Sequence, residues 1–127
     1  VSTRREVDLV NVTDQLMETV RRSGVENGIA NVLCLHTTCG LYINEDESRL
    51  RQDVEKTLEK LVPKGAGYRH DSIDDNAHAH LRTILLSTTL TLPVSGGRPV
   101  LGTWQKVFCA EFDGPRTRMI KIHVLGE

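Results

Sequence analysis

Reactive side chains are concentrated near the end of the chain, in the segment EFDGPRTR at residues 111–118. Glu111 and Asp113 are two residues apart, and so are Arg116 and Arg118, with Gly-Pro between the two pairs. If both arms are strands, residues two apart share a face, which presents carboxylates and guanidinium groups close to one turn. Arginine binds phosphate through two hydrogen bonds and carboxylates hold Mg²⁺, so the pattern suits a phosphorylated substrate. A surface ladder of ion pairs explains the same spacing without any function.

Histidines form the second group of candidates. His36 opens the polar stretch HTTCG, and His78 and His80 are two apart in a segment with helical periodicity. On a helix, residues two apart point to nearly opposite sides, so only one of this pair faces a given pocket. Neutral imidazole is both a metal ligand and a general base, which makes His36 with His80 the favoured pair. His70 and His123 are interpreted as hydrogen-bonded structural histidines.

Composition limits the possible partners and location. The 127 residues carry a net charge of −1, so no general electrostatic attraction to nucleic acid or to a membrane is expected. No apolar run is long enough for a membrane-spanning helix. Three cysteines without short spacing argue against a disulfide framework or a structural zinc site and favour a reducing compartment, so we expect a cytoplasmic protein.

Three helices are predicted to position these residues. The first begins with Thr13 as its cap and ends before Gly24, and the second begins in the acidic stretch 45–47 and ends at Pro63. The third begins near Asn76, after two aspartates. Its apolar residues follow helical spacing and are predicted to face the core: Ala77, Leu81, Ile84 and Leu85.

The remaining elements are strands. An edge strand is predicted at 2–9 and a buried strand at 29–35. The last thirty or so residues are predicted to form a β-meander of segments 88–94, 105–112 and 116–125, with reversals at 95–98 and 113–115. The sequence therefore predicts one α+β domain over residues 1–127.

Four motifs in order give the sequence a resemblance to a known family. They are HTTCG at 36–40 with Asn44-Glu45, DNAHAHL at 75–81, LGTWQ at 101–105 and EFDGPRTR at 111–118. Together they cover nearly the whole chain and resemble the YjbQ family. The resemblance implies a β-sandwich with two to three helices that assembles as a homotrimer. Relatives often have Gly where this chain has Ser87, which implies a difference in helix-end geometry only.

The resemblance also implies a reaction, namely a secondary thiamine-phosphate synthase activity. That reaction joins a hydroxymethylpyrimidine diphosphate to a thiazole phosphate and releases pyrophosphate, so the expected partner is a small phosphorylated substrate.

The family motifs and the side-chain chemistry together predict three sets of site residues. The catalytic residues would be His36, His80, Glu111 and Arg116. Substrate would be bound by Thr37, Thr38, Asn76, Gln105 and Arg118, with the first turn of the third helix adding to the anion site. A divalent metal, Mg²⁺ or Zn²⁺, would be held by His36, His80, His78 and Glu111.

Two other functions stay open from the sequence. One is a metal-dependent hydrolase with a histidine-bound ion, in which the thiamine-related activity is incidental. The other is a non-catalytic trimeric module that binds a small metabolite, in which the same motifs line a subunit interface.

Overall fold

Seven strands divide into two antiparallel sheets in the computed structural model, which describes residues 1–127. In chain order, the strands are β1 (Asp8–Asn11), β2 (Asn27–Cys34), β3 (Cys39–Asn44), β4 (Thr89–Ser95), β5 (Arg98–Pro99), β6 (Lys106–Glu111) and β7 (Ile120–Gly126). One sheet has the order β1-β6-β3 and the other the order β5-β4-β2-β7. The helices are α1 (Thr13–Ser23), α2 (Ser48–Leu61) and α3 (Ala77–Leu86), and a short 3₁₀ helix spans Arg69–Ser72.

The main core lies between the two sheets. Strand β2 alternates, with Ala30, Val32 and Cys34 buried and the residues between them partly exposed. Strand β3 contributes Leu41 and β6 contributes Val107 to the same cluster, and α1 closes one end. This alternation is the pattern of a sheet that buries one face, and it places the end of β2, where His36 follows, at the edge of the core.

A second apolar layer lies on the other side of β6. Phe108 and Phe112 contact Leu58 of α2 and Ala79 of α3 in a separate cluster. Strand β6 is therefore buried on both faces, and it carries Glu111 at its buried end. The architecture is a sandwich of two sheets with a helical layer on the smaller sheet, as predicted for the α+β class.

The predicted helix boundaries are confirmed within a few residues. Helix α1 begins at Thr13 and ends at Ser23, and the Gly24 that follows has a left-handed φ of 72°, as expected of a glycine at a helix C-terminus. Helix α2 begins after Glu47, which accepts a hydrogen bond from the amide of Leu50, and it ends just before Pro63. Thr13 does not cap its helix. Its hydroxyl accepts a hydrogen bond from the amide of Val107 instead, which ties α1 to β6.

The predicted inward face of α3 is wrong except at Ala77, which is 4% exposed. Leu81, Ile84 and Leu85 are 39%, 76% and 58% exposed, whereas Ala79 and Thr83 are buried. The reason is the close approach of the helix to β3. A methyl group added at Gly40 would lie 3.1 Å from the carbonyl oxygen of Ser87 and 3.2 Å from Cβ of Leu86, so the end of α3 packs closely against β3. The larger buried side chains of the helix, His78 and Arg82, are polar.

The predicted β-meander is also wrong. Only its first reversal is confirmed, since the two-glycine turn after Ser95 joins β4 to β5. Strand β6 pairs with β1 and β3, whereas β7 pairs with β2 in the other sheet. Residues 112–119 therefore cross from one sheet to the other and form no hairpin, so the argument that paired acids and bases share strand faces fails.

The beginning of the chain is paired less than predicted. The edge strand covers Asp8–Asn11, and ahead of it only Ser2 forms a bridge, with Thr117. None of the three helices combines the length and the apolar character needed to cross a membrane.

Candidate functional site

A cleft of about 490 Å³ lies where three polar segments meet. They are the connection from β2 to β3, the start of α3 and the crossover that follows β6. Seven of the predicted site residues line this cleft: His36, Thr37, Thr38, Asn76, His80, Arg116 and Arg118. A second opening of about 630 Å³ continues along α3 to Thr83, sharing His36, Thr37 and His80 with the first.

His36 is held by the backbone of the crossover. Its Nε2 accepts a hydrogen bond of 2.8 Å from the amide of Met119. The neutral ring must therefore carry its proton on Nδ1. Burial lowers the pKa of His36, and the positive charges of Arg118 and Arg116 act in the same direction. At neutral pH the ring is thus an uncharged donor.

His80 lies on α3 beside His70, a residue that the sequence assigned to a structural role. The two rings meet edge to face with centroids 4.9 Å apart. His70 belongs to the 3₁₀ helix and lines the same cleft. No sequence pattern points to this placement, because it depends on how the loop before α3 folds back. Three histidines, not two, therefore face the cleft.

A chain of hydrogen bonds links His70 to Arg116. His70 Nε2 donates to Oδ1 of Asn76 (3.1 Å), and Nδ2 of Asn76 donates to Oδ2 of Asp113 (2.9 Å). Arg116 donates to Asp113 twice, from Nη2 to Oδ2 (3.0 Å) and from Nε to the carbonyl oxygen (2.7 Å). This leaves Nη1 of Arg116, whose side chain is 54% exposed, free to bind an anion.

Glu111 and Arg118 form a buried ion pair behind the cleft. Both Nε and Nη2 of Arg118 donate to the carboxylate, and Nη2 also donates to Oγ1 of Thr38 (2.8 Å). Thr3 and the amide of Asp113 occupy the remaining acceptor positions of Glu111. Burial alone raises the pKa of Glu111, but these hydrogen bonds outweigh burial and hold that pKa below its usual range. Glu111 is therefore an ionised carboxylate with no free oxygen for a metal.

Two predicted site residues lie elsewhere. His78 is 2% exposed and lines a separate cavity, as the helical spacing predicted for one member of the pair. Gln105 lies in the exposed turn before β6, where its side-chain oxygen accepts a hydrogen bond from the amide of Gly102 (2.8 Å). It lines a surface depression with Trp104 and Glu45, away from the cleft.

The expected metal ligands do not come together within one chain. Glu111 is enclosed and His78 lies in the other cavity, and no group of three His, Cys, Asp or Glu side chains has the arrangement of a metal site. The anion site expected at α3 is also partly filled, because Asp71 accepts a hydrogen bond from the first helical amide, that of Ala77 (3.1 Å). Arg116, the exposed Thr37 and the rings of His36 and His80 are the donors that remain for a phosphate group.

Thr3 is a site residue without any sequence motif. Its hydroxyl donates to Glu111 (2.8 Å) and accepts a hydrogen bond from the amide of Arg116 (2.8 Å). It lies 108 residues before Glu111, and backbone pairing of the first residues with the crossover, including the bridge between Ser2 and Thr117, brings it there. The crossover that carries both arginines is thus fixed by the opposite end of the chain.

Comparison with known proteins places the chain in a family. A family model described as UPF0047 protein YjbQ-like matches residues 1–127. The chain belongs to this UPF0047/YjbQ family. The UPF0047 protein of Methanothermobacter thermautotrophicus is 47% identical over 125 residues, which cover 98% of this chain and 87% of that relative. The UPF0047 protein of Archaeoglobus fulgidus is 42% identical over 125 residues, with 98% and 97% covered.

Solved structures of the UPF0047/YjbQ family share the fold. The crystal structure of a YbjQ-like protein from Sulfolobus solfataricus has a TM-score of 0.97 at 40% identity and covers 100% of this chain and 93% of that chain. A protein from Aeropyrum pernix has a TM-score of 0.97 at 38% identity, with 100% and 95% covered. The predicted fold class and the resemblance read from the four motifs are both confirmed.

Proposed function

We propose that the cleft binds phosphorylated small molecules and catalyses thiamine-phosphate formation as a secondary activity. The observation that carries the proposal is the convergence of His36, His80 and Arg116 on one cleft, from three segments far apart in the chain. The four motifs shared with the YjbQ family support the choice of reaction. The volume of about 490 Å³ is in the range of pockets that hold small molecules.

The reaction needs an anion site more than it needs proton transfer. A lone pair on the thiazole nitrogen forms the new carbon–nitrogen bond, while the carbon–oxygen bond to the diphosphate breaks and its electron pair leaves with pyrophosphate. The side chains must therefore stabilise negative charge that develops on the leaving group. Arg116 is suited to this role through its free Nη1, and Asp113 fixes the guanidinium plane.

The histidines would donate hydrogen bonds to the leaving group. His36 presents its Nδ1 proton because Nε2 is occupied by the amide of Met119. The ring of His80 forms no hydrogen bond with a protein group, so it is free to act as donor or as general acid. Asn76 and His70 would position this part of the cleft, and Arg118 and Glu111 would serve as positioning residues behind it.

A divalent metal, Mg²⁺ or Zn²⁺, remains part of the proposal as an ion that arrives with the diphosphate. The chain alone does not assemble the four ligands His36, His80, His78 and Glu111, so we route no step through a resident ion. In the cleft, His70, His80 and Asp74 carry side chains that could each add a ligand to such an ion.

The proposed assembly is a homotrimer. The outer face of α3 supports it, because Leu81, Ile84 and Leu85 leave a helical stripe of large apolar side chains exposed. Leu35 and Met119, beside the cleft, are 47% and 64% exposed. A patch of this kind marks an interaction surface, and a second copy covering it would also enclose the cleft.

The test combines the pyrimidine diphosphate, the thiazole phosphate and Mg²⁺ with purified protein, and it measures thiamine phosphate and pyrophosphate together. We expect His80→Ala to lower turnover about 100-fold if His80 acts as a general acid. Arg116→Ala should lower it about tenfold to 100-fold through one charged hydrogen bond. The matched controls are His123→Ala and Arg98→Ala, which alter exposed residues outside the cleft. Equal turnover in test and control variants would refute the assignment.

A histidine-dependent hydrolase is the second candidate. The placement of His70 beside His80, with Asp74 and Asp113 in the same cleft, favours it over a purely structural role for these side chains. The decisive measurement is the zinc content of protein purified from zinc-supplemented cells, together with hydrolysis of a phosphate ester. Stoichiometric zinc that His80→Ala removes would support the hydrolase over the synthase.

The third candidate is a trimer that binds a metabolite without catalysis. It predicts that Arg116→Ala yields monomers in light scattering, because Arg116 would then serve as an ion pair between subunits. An intact trimer that loses only its turnover would support the synthase instead.

A further inference from the structure

A second cavity lies on the other side of α3 and shares no lining residue with the cleft. It has a volume of about 230 Å³. Its lining consists of Glu6, Val7, Glu55, Glu59, Lys64, His78 and Arg82. The proposed function uses none of these side chains. Two of them, His78 and Arg82, are buried polar residues of α3 whose contacts within the chain are incomplete.

His78 has an unsatisfied ring nitrogen. The residue is 2% exposed, and no protein group lies within hydrogen-bonding distance of its Nδ1. It is the only buried side-chain polar atom of the chain in this state. A buried polar atom without a partner costs about 1–3 kcal/mol, so such atoms usually face a ligand or a bound solvent molecule.

Arg82 is a buried cation without a carboxylate partner. It is 4% exposed and takes part in none of the nine salt bridges of the chain. Its Nε donates to the carbonyl oxygen of Val62 (3.0 Å), and its guanidinium carbon lies 5.8 Å from the ring centroid of Phe112. Its two terminal nitrogens have no protein acceptor, but they keep contact with solvent, since Nδ1 of His78 is the only fully buried side-chain polar atom without a partner. A buried arginine is normally paired with an anion, so this position calls for a negative group in the cavity.

The carboxylates around the cavity restrict what that negative group can be. Glu6 is paired with Lys64 (2.6 Å) and Glu55 with Arg5 (3.2 Å), but Glu59 is exposed and has no ion pair. Three glutamates against Lys64 and Arg82 disfavour a multiply charged anion such as phosphate. One free carboxylate at the rim instead matches a ligand that carries a positive group beside its negative one.

We propose that this cavity binds a small zwitterionic α-amino acid. The ligand carboxylate would accept hydrogen bonds from Arg82 and from His78, and its ammonium group would lie toward Glu59. The small volume limits the side chain of the ligand to a few atoms, since pockets for drug-sized ligands begin at about 300 Å³. This site is independent of the proposed reaction in the cleft.

The experiment titrates the full chain with glycine, alanine, acetate, methylammonium and inorganic phosphate. Binding is measured by calorimetry, and the ring ¹⁵N and ¹H resonances of His78 report its location. We expect the amino acids to bind and to shift His78, acetate to bind more weakly, and methylammonium and phosphate to leave His78 unchanged.

Two substitutions test the separate halves of the site. Glu59→Gln should abolish the preference for alanine over acetate, and its matched control Glu45→Gln should not. His78→Asn should weaken alanine binding about tenfold through the lost hydrogen bond. Circular dichroism and thermal unfolding verify that each variant folds. Three results would overturn the proposal: no binding of alanine by the native chain, tighter binding of phosphate than of alanine, or alanine binding that leaves His78 unchanged.

Discussion

Glu111 and Arg118 form an ion pair closed off from solvent, with Glu111 0% and Arg118 3% exposed. Glu111 is the last residue of β6 in one sheet, and Arg118 lies two residues before the start of β7 in the other. Both carboxylate oxygens are engaged, with Thr3 and the amide of Asp113 as the other donors. The sequence predicted these two residues to bind metal and phosphate. Their ion pair instead joins the two sheets and fixes the crossover that contains Arg116.

Arg118→Met should lower the free energy of unfolding by about 3–5 kcal/mol, because it leaves the buried Glu111 carboxylate without its cation. Urea unfolding of the purified variant measures this. The double variant Glu111→Leu with Arg118→Met should recover much of the loss, since it removes the isolated charge as well. A loss below about 1 kcal/mol, the range of surface pairs, would mean that solvent reaches the carboxylate.

His36 should make the free energy of unfolding depend on pH. The pKa of its ring is lowered in the folded state, so the unfolded chain binds the proton more strongly. Stability is then full above the ordinary pKa of 6.5 and falls as the pH drops from there toward the lowered folded pKa. Urea unfolding between pH 7 and pH 5 should show a smaller decline in His36→Gln than in the native chain. The amide resonance of Met119 should follow the same titration, and an unchanged resonance would contradict the assigned hydrogen bond.

Ser87 has a backbone conformation that favours glycine. Its φ is 149°, and it ends α3. Its hydroxyl compensates in part by donating to the carbonyl of Thr89 (2.9 Å). We expect Ser87→Ala to be less stable than Ser87→Gly by about 1 kcal/mol, because both lose the hydroxyl and only alanine keeps the strain. Thermal unfolding of the two variants side by side gives the comparison, and equal midpoints would argue against strain at this residue.

Ile84→Glu should disrupt the proposed trimer. The side chain is 76% exposed in one chain, so the charge is tolerated by the monomer fold and not by an apolar interface. Light scattering should report a monomer with a native circular dichroism spectrum. Leu61→Glu, which alters a similarly exposed residue (67%) at the end of α2, is the control and should stay assembled. A trimeric Ile84→Glu would place the interface elsewhere.

The sequence was sufficient to predict how two of the histidines are placed relative to each other. Helical spacing alone separates His78 from His80, and the structure puts them in different cavities. The motifs identified the segments that meet at the cleft, since His36, His80 and Arg116 all lie within them. Spacing could not reveal that Glu111 is enclosed, because burial follows from strand pairing and not from the interval between two residues.

The predictions that failed have a common physical origin. A local sequence pattern indicates a strand or a helix, but it does not specify which other element that strand or helix packs against. Alternation in β7 indicates a strand, but pairing with β2 and not β6 is decided by the path of the crossover. Large apolar residues mark Leu81, Ile84 and Leu85 as a core face, yet the residues that α3 buries beside Ala77 are Ala79, Thr83, His78 and Arg82. His70 reaches the cleft only through the fold of a loop without periodicity.

The hydrogen bond between His36 and the amide of Met119 has a consequence for the order of folding. His36 follows β2, whereas Met119 lies 83 positions later, immediately before the strand that completes the four-stranded sheet. Pairings over such separations form slowly, because the chain entropy of closing the loop must be overcome first. A nascent or partly folded chain can therefore have β2, β4 and all three helices in place while its imidazole is still unoriented. Catalytic activity should therefore be the last property that the refolding protein regains, after its helical circular dichroism signal has recovered.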